Sequence, residues 1–271
     1  MEGPSAFEKF FSDIGRVFSE YNDFLLTGLQ NTLIISVGAA VLGLVLGVIV
    51  AIIKIAAVNN KKLRIPEAIC NIYVGVIRGT PVALQLFIMA FVILAIRNFP
   101  IVITAILTFG INSGAYVAEN LRAGIQSVDP GQTEAGRSLG LSGSTTMANV
   151  VLPQAVKNVI PAIGNELIAL IKETSIVSMI SIIDLTNAAK LIGSGNNMAT
   201  YLVPMLVAAL FYLAIVYILT FFLHMIEKKL RESEQHISDK KIAKVKAKTE
   251  RKLARINSAY EKAVSKRKEA A

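Results

Sequence analysis

Apolar residues along this chain fall into long, nearly uncharged runs that are separated by short polar segments. A helix needs about 20 apolar residues to cross a bilayer, and five runs reach that length. They are residues 32–58, 65–96, 99–118, 150–183 and 201–226. A soluble core does not need several separate runs of this length. The pattern therefore predicts an all-α integral membrane protein with about five transmembrane helices.

Features inside the first two runs predict how these helices pack. The first run contains Gly38, Gly43 and Gly47, and small residues let helix backbones approach closely in lipid. The second run is broken at Arg78-Gly79-Thr80-Pro81. A break at membrane depth is tolerated only where protein or a water-filled cavity covers it. The segment that contains Arg78 either lines the transport pathway or only shapes the broken helix. We favour the second role.

The fourth run carries charges, which are rare in membrane spans and usually face a cavity or a partner charge. Glu166 and Glu173 lie seven residues apart, hence on one helix face at a separation of roughly 10 Å. They are candidates to receive the ammonium group of a substrate or a cationic side chain. The alternative is an ion pair between helices, for example with Arg78 or Lys172. Further polar candidates are Asn165, Thr174 and Ser175.

Residues 1–27 carry apolar side chains at spacings of three and four. These are Phe7, Phe10, Phe11, Ile14, Val17 and Phe18. The spacing predicts an amphipathic helix that lies in the membrane interface, and the alternative is a helix packed on its own protein. Acidic residues outnumber basic ones here and no apolar region precedes an Ala-x-Ala site, so we do not expect a cleavable signal peptide.

The distribution of Lys and Arg predicts the orientation of the spans, because cytoplasmic loops carry the excess of these residues. One set of loops is basic through Lys61, Lys62, Arg64, Arg122, Arg137 and the C-terminal tail. The opposite set holds only Arg97 and Lys190, beside an acidic N-terminal segment. We therefore expect the C-terminus and the loop at residues 129–153 to be cytoplasmic and the N-terminus to be outside.

Composition supports this class, and charge restricts the partners. The chain is 54% hydrophobic with a net charge of +9. Residues 1–226 hold 13 Lys and Arg against 12 Asp and Glu, whereas residues 227–271 hold 15 against 7. The basicity therefore belongs to the tail, which is either a basic amphipathic helix on anionic lipid or a disordered segment, and we expect no nucleic-acid partner. A single cysteine, Cys70, excludes a disulfide framework and a Cys-rich metal site.

The loop at residues 129–153 is polar and carries the signals of two short helices. Asp129 is a good helix N-cap before Pro130, and Gln132 is placed to complete a capping box. Gly140 can adopt the left-handed conformation that ends a helix, and Ser142 can cap a second one. Pro153 restricts the residue before it. Such a structured element is more than a connector requires, and the alternative to a docking element is a hairpin that rests on the membrane.

Several segments resemble a known family. Glu134-Ala135, then Gly140, then Val150-Val151-Leu152-Pro153 match the Glu-Ala-Ala, Gly, Ile-x-Leu-Pro signature of ABC importer permeases. Other segments resemble the polar amino acid uptake branch, the histidine, glutamine and arginine type. They are RGTPVALQLF from Arg78, SGAYVAENLRAGI from Ser113, SLGLS from Ser138, LPQAV from Leu152 and KETSIVSMI from Lys172. The resemblance covers approximately residues 28–226.

The resemblance implies a type I importer permease fold with a transmembrane domain at residues 28–226. The basic tail at residues 227–271 has no counterpart in the family pattern. The resemblance also implies that the chain moves polar or charged amino acids across the bacterial cytoplasmic membrane. The loop would dock on a separate ABC ATPase through Glu134, Ala135, Arg137, Gly140, Leu152 and Pro153. Further implied partners are an extracytoplasmic solute-binding protein and a second permease chain, in a homodimer or a heterodimer.

The chain contains no Gly-x4-Gly-Lys-Ser/Thr phosphate loop, so we expect ATP and Mg²⁺ to be bound by the partner. We accordingly expect neither an enzyme nor a bound cofactor or metal in this chain. One position departs from the family pattern, because Gly136 replaces the second alanine of the signature. A glycine inside a helix weakens it by about 1 kcal/mol.

Two other classes of function are compatible with a membrane protein of this kind. A self-sufficient secondary transporter or channel would use Glu166, Lys172 and Glu173 as relay or filter groups. A single copy of the motif argues against it, since many secondary transporters contain two repeats. A membrane scaffold would use its basic tail to recruit partners.

Overall fold

The computed structural model describes residues 6–58, 60–195, 201–230 and 250, and these residues form helices and connecting turns without a strand. The α-helices are α1 (Ala6–Glu20), α2 (Asn22–Ala57), α3 (Arg64–Arg78), α4 (Val82–Ile88), α5 (Ile101–Gln126), α6 (Pro130–Ser138), α7 (Gly143–Thr146), α8 (Leu152–Glu173), α9 (Leu185–Ser194) and α10 (Leu202–Leu230). Two 3-10 helices (Lys61–Leu63, Thr174–Ile180) and two π-helical turns (Met89–Ile93, Met147–Val151) connect them. The predicted all-α membrane architecture is confirmed.

Three helices of the described residues are long and apolar enough to cross a membrane, namely α2, α5 and α10. The predicted spans were too short at several ends. Helix α2 begins at Asn22, so the expected boundary between residues 27 and 28 falls inside it. Helix α5 continues to Gln126, eight residues beyond the predicted end. A helix is longer than its apolar run because its ends extend into polar surroundings.

The predicted second and fourth spans are not simple helices. The Lys61–Arg78 helix and the Val82–Ile93 helix meet at 105°, which is the break that Arg78 to Pro81 predicts. The fourth run forms α8 and then a 3-10 helix that ends at Ile180. Helix α8 has 22 residues, enough for about 33 Å at 1.5 Å per residue. The predicted total of five crossings requires the bent pair and α8 to cross in addition to the three long helices.

Close packing of α2 on α5 depends on small residues, as the glycines of the first run predict. A Cβ atom at Gly43 would lie 2.8 Å from the Cβ atom of Ser113, and one at Gly47 would lie 2.5 Å from Cγ1 of Val117. Neither distance is sterically tolerated. The backbones of the two helices therefore approach more closely than any side chain at these positions would permit.

A buried apolar cluster joins the long helices to the bent pair. Its members include Ile35, Leu86, Phe109, Leu170 and Val177. They come from α2, α4, α5, α8 and the 3-10 helix after α8. The bent pair and α8 are therefore held against α2 and α5 by one common core.

The N-terminal helix α1 packs one face on its own chain. Val17 is buried together with Leu25 of α2, Ile192 of α9 and Val207 of α10. This packing agrees with the alternative prediction for residues 1–27, a helix packed on its own protein. Phe11, by contrast, is 55% exposed. The placement of α1 in the membrane interface stays a prediction.

The chain divides into two compact units, residues 1–223 and 224–271. In the second unit the structure describes only the end of α10 and residue 250. The alternatives for the basic tail therefore lie outside the described residues. The expected tail boundary at residue 227 falls inside α10, which ends at Leu230.

Candidate functional site

The polar loop at residues 129–153, called the polar hairpin below, forms the two short helices that its caps predict. Asp129 Oδ1 accepts a hydrogen bond from the Gly131 amide at 2.8 Å, and Ser142 Oγ accepts one from the Thr145 amide at 3.1 Å. The predicted capping box with Gln132 is wrong, because Oε1 of Gln132 accepts a long hydrogen bond, 3.5 Å, from Gln154 instead. Gln154 lies on α8, so this contact joins the start of α6 to α8.

The elbow between α6 and α7 is a Schellman motif centred on Gly140, which has φ +82°. The Gly140 amide donates to the Arg137 carbonyl at 3.0 Å, and the Leu141 amide donates to the Gly136 carbonyl at 3.2 Å. This pair of bonds satisfies carbonyls that the end of α6 leaves free. A Cβ atom at Gly140 would meet nothing within 4 Å. Glycine is therefore favoured here by backbone conformation and not by space.

The outer face of the elbow is exposed. Glu134, Ala135, Arg137 and Gly140 are all exposed, and Leu139 is 82% exposed. Arg137 donates from Nη1 to the Leu141 carbonyl at 3.4 Å and, within the described part of the chain, forms no ion pair with Glu134. An exposed leucine at the tip of the turn, beside two exposed charged side chains, is a surface suited to a protein partner.

The base of the polar hairpin is fixed to the transmembrane helices. Val128, Val151 and Ala155 form a buried cluster, with Ile125 and Met147 packed against it. Asn158 Nδ2 donates to Ser127 Oγ at 2.9 Å. The hairpin is therefore packed on the ends of both α5 and α8.

The start of α8 corrects one sequence expectation. Pro153 disfavours a helical residue before it, yet Leu152 has φ −59° and ψ −43°. A π turn at Met147–Val151, closed by the Leu152 amide on the Met147 carbonyl, leads directly into α8. The wider turn accommodates the proline ring, so the hairpin and α8 are continuous. Leu152 and Pro153 are exposed at this junction.

Glu166 and Glu173 both lie on α8, and both are partly buried. Neither forms an ion pair with Arg78 or Lys172 within the described residues, so the structure does not support the ion-pair alternative. Glu166 lies beside Ser113 of α5. The Ser113 hydroxyl is fully buried, and the Glu166 carboxyl group is the polar side chain beside it. A carboxyl group and a buried hydroxyl therefore occur together in the interior, where polar groups need hydrogen-bond partners.

The other polar candidates of this run separate from Glu166. Thr174 is buried and donates to the Ile171 carbonyl at 2.6 Å, which commits its hydroxyl to the helix end. Asn165 is exposed. Ser175 lines a cavity of about 450 Å³ together with Lys172 and Tyr212. Sequence proximity therefore grouped residues that the fold distributes over different surroundings.

Arg78 ties the broken helix to α5. Its Nη1 lies 3.9 Å from Glu119 Oε1, and its guanidinium lies 5.3 Å from the centroid of the Tyr116 ring. Glu119 also receives two hydrogen bonds from Arg122, through Nη2 and through Nε at 3.0 Å. These contacts favour the shaping role that we expected for the Arg78 segment. Glu119 and Arg122 form the structural pair that their one-turn spacing indicates.

Gln85 connects the two arms of the broken helix, and sequence reasoning missed it. Its amide donates to the Ile77 carbonyl at 2.8 Å and to Thr80 Oγ1 at 2.7 Å. Its Oε1 accepts from Asn112 Nδ2 of α5 at 2.9 Å. One side chain therefore satisfies groups that the break leaves free and anchors the bend to α5.

We expect Gln85→Leu to destabilise the protein by about 1–3 kcal/mol, because the buried amide of Asn112 loses its acceptor. Thermal unfolding of the detergent-solubilised chain can be followed by reaction of a thiol-specific fluorophore with Cys70, which is buried and is the chain's one cysteine. Gln30→Leu, at an exposed position of α2, is the control. Equal unfolding temperatures for the two variants would contradict the bridging role.

Asp184 is a second residue that the sequence analysis missed. Its carboxylate is fully buried and accepts hydrogen bonds from the Thr186 and Asn187 amides, both at 3.0 Å. Tyr212 of α10 donates to the same carboxylate at 3.1 Å. Asp followed by polar residues before a helical run is a cap signal, but the tyrosine is 28 residues away and no local pattern points to it.

No group of three His, Cys, Asp or Glu residues that could hold a metal occurs in the described part of the chain.

Comparison with known sequences places most of the chain in one family. Residues 43–232 match the family described as binding-protein-dependent transport system inner membrane component. The chain is 39% identical over 209 residues to a putative glutamine transport system permease protein of Rickettsia prowazekii (strain Madrid E), which covers 76% of this chain and 93% of that protein. It is 40% identical over 213 residues to the arginine transport system permease protein of Bacillus subtilis (strain 168), which covers 78% and 94%.

Solved structures agree in fold. A crystal structure of an amino acid ABC transporter with histidines matches with a TM-score of 0.72 and 35% identity, over 84% of this chain and all of that one. An inward-facing conformation of the MetNI methionine ABC transporter matches with a TM-score of 0.62 over 76% of this chain. Its identity is only 19%, so this second likeness concerns the fold alone.

Proposed function

Because this chain belongs to the binding-protein-dependent transport system inner membrane component family, we propose that it is the permease subunit of an amino acid importer. The relatives named above are permeases for glutamine and arginine, which supports a polar or charged amino acid as the substrate. The observation that carries the proposal is the polar hairpin. It is exposed at its tip, ordered by the Schellman motif at its elbow, and packed at its base on α5 and α8.

The tip of the hairpin is the docking surface for a separate ABC ATPase. Leu139 supplies an apolar anchor, and Glu134 and Arg137, which do not pair with each other within the described residues, supply charges that a partner can meet. Residues that carry most of the energy of an interface are typically a few such anchors surrounded by a polar rim. ATP and Mg²⁺ are bound by the partner subunit, and this chain is not an enzyme.

Closure of two ATPase subunits would move two hairpins together and switch the spans between inward-facing and outward-facing states. The hairpin is continuous with α8 through the π turn. Helix α8 carries Glu166, so the hairpin and the candidate substrate path share one helix, with Pro161 between them. A packed connection of this kind can transmit a two-state change between distant sites.

Glu166 is the leading candidate for substrate contact on this path. Its carboxylate lies beside the buried Ser113 hydroxyl. Together they present an anion and a hydroxyl that an amino acid ammonium group can satisfy. Glu173, Asn165 and Ser175 remain candidates for further contacts. Thr174 and Arg78 also remain candidates, and they already contact the Ile171 carbonyl and Glu119, respectively.

The chain is placed in the cytoplasmic membrane with its N-terminus outside and the hairpin and C-terminus in the cytoplasm, as the distribution of Lys and Arg supports. This topology leaves the outer surface to an extracytoplasmic solute-binding protein. A second permease chain, identical or similar to this one, completes the pathway.

The proposal is tested by reconstituting the purified chain into liposomes, with and without the ATPase and the solute-binding protein. We expect uptake of radiolabelled arginine or glutamine only with all components and ATP. Uptake by the chain alone would instead identify a self-sufficient transporter or channel.

In the same assay, Glu166→Gln keeps the shape of the side chain and removes its charge. We expect the KM for uptake to rise about tenfold or more, because a desolvated charge partner of the ammonium group contributes roughly 2–5 kcal/mol. The control is Glu20→Gln, at an exposed position of α1. An unchanged KM for both labelled amino acids would remove Glu166 from the substrate path.

A further inference from the structure

Gly136, the position where this chain lacks the alanine of the family signature, is buried in the fold of the polar hairpin. A Cβ atom built on Gly136 would lie 2.7 Å from Cγ2 and 3.1 Å from Oγ1 of Thr146. The first distance is shorter than real Cβ contacts allow. Helices α6 and α7 therefore approach each other at a separation that an alanine at position 136 would not permit.

Thr146 has little freedom to move away from this contact. It is 1% exposed, and its Oγ1 donates to the Ser142 carbonyl at 2.9 Å. Its amide donates to the same carbonyl, also at 2.9 Å. A β-branched side chain inside a helical turn has few alternative rotamers. An added methyl group at position 136 would therefore displace a helix and not only a side chain.

We infer that Thr146 is a positioning residue for the docking surface, acting through its contact with Gly136. The pair closes α6 onto α7 and so sets where Glu134, Arg137 and Leu139 stand relative to α8. This inference rests on the proposed function, because the surface in question is the one that would meet the ATPase. Gly136 lowers the helix stability of α6 by itself, but it allows α6 and α7 to pack closely.

The inference extends to the choice of partner. In a permease with alanine at the position of Gly136, the two short helices could pack this closely only if the residue at the position of Thr146 were smaller than threonine. It follows from the inference that the ATPase subunit of this chain binds the closed form of the hairpin. The combination of residues 136 and 146, and not either residue alone, determines the fit.

The experiment has two readouts on the full-length chain in lipid nanodiscs. One is the distance between spin labels on Thr133→Cys and Ser144→Cys, both at exposed positions of α6 and α7. The other is the Kd for the ATPase subunit purified from the same complex. For Gly136→Ala we expect a longer label distance and roughly a tenfold weaker Kd, as for a methyl group forced into a packed contact.

A series of second substitutions at Thr146 tests the contact atom by atom. In the Gly136→Ala background, Thr146→Ala removes both close atoms and is expected to restore the distance and the Kd. Thr146→Ser removes only the methyl group and should restore them in part. Thr146→Val retains a methyl group in that place and should restore neither. Gly143→Ala is the matched control, since its Cβ atom would meet only Arg137 Nη1 at 3.6 Å.

The outcomes separate this inference from the proposed function. An unchanged label distance in Gly136→Ala, or equal rescue by Thr146→Val and Thr146→Ala, overturns the inference and leaves the permease proposal intact. Absence of ATPase binding by the wild-type chain overturns the proposed function, whatever the label distances show.

Discussion

Gly140→Val is expected to abolish ATP-driven amino acid uptake while the chain still inserts into the membrane. Gly140 has φ +82°, a conformation that costs a non-glycine residue roughly 1–2 kcal/mol and a β-branched one more. The valine would turn the backbone away from this region and break the hydrogen bonds of Gly140 and Leu141 to the end of α6. Without these hydrogen bonds, the tip of the hairpin no longer has a defined conformation that the ATPase can bind.

The control for this variant is Gly140→Asn, because asparagine tolerates the left-handed conformation better than other residues with a side chain. Space is not limiting, since a Cβ atom here meets nothing within 4 Å. We therefore expect the asparagine variant to retain most of the uptake. Comparable uptake by the valine variant, at equal amounts of protein in the membrane, would remove the elbow from the coupling step.

Leu139→Asp is expected to weaken binding of the ATPase about 30-fold or more, since loss of a central apolar anchor typically costs at least 2 kcal/mol. Leu139 is 82% exposed in this chain, so the substitution removes no internal packing and the hairpin should keep its fold. Affinity can be measured with the full-length chain in nanodiscs and the purified ATPase subunit.

Two variants bracket this prediction. Leu139→Met keeps an apolar side chain of similar volume and should bind nearly as well as the wild type. Leu139→Ala shortens the anchor without adding a charge and should fall between Met and Asp. If all three variants bind the ATPase with the wild-type Kd, Leu139 lies outside the interface.

The variants at Gly140 and Leu139 test the backbone conformation of the elbow and the side-chain contact with the ATPase separately. Gly140 acts through the backbone and presents no side chain to a partner, whereas Leu139 contributes a side chain and nothing to the elbow hydrogen bonds beyond its amide. Reduced uptake in both variants, with reduced ATPase affinity in both, would show that the hairpin must be both ordered and apolar at its tip.

Local signals predicted the polar hairpin well. Asp129 and Ser142 cap the helices that were expected from them, and Gly140 has the left-handed conformation. Each of these features depends on atoms within a few residues in the chain. The capping box with Gln132 is not formed, and the side chain of Gln132 instead contacts Gln154, 22 residues away.

Gly136 shows how a correct local rule can lead to an incomplete conclusion. Helix propensity describes glycine as a defect in α6. The structure places Thr146 where a methyl group at position 136 would have to lie. The advantage of glycine there arises from a contact between two helices, and propensity contains no information about such a contact.

The sequence by itself determined the membrane class, most of the helices, the break at Arg78 to Pro81 and the elbow at Gly140, because apolar run length, charge and capping residues act locally. Only the tertiary structure decided that Arg78 meets Glu119, that Gln85 bridges the bend to Asn112, and that Glu166 lies beside Ser113. These pairs join residues 27 to 53 positions apart on different helices. Which faces of the helices meet depends on the packing of the whole core, and hydrophobic periodicity does not specify it.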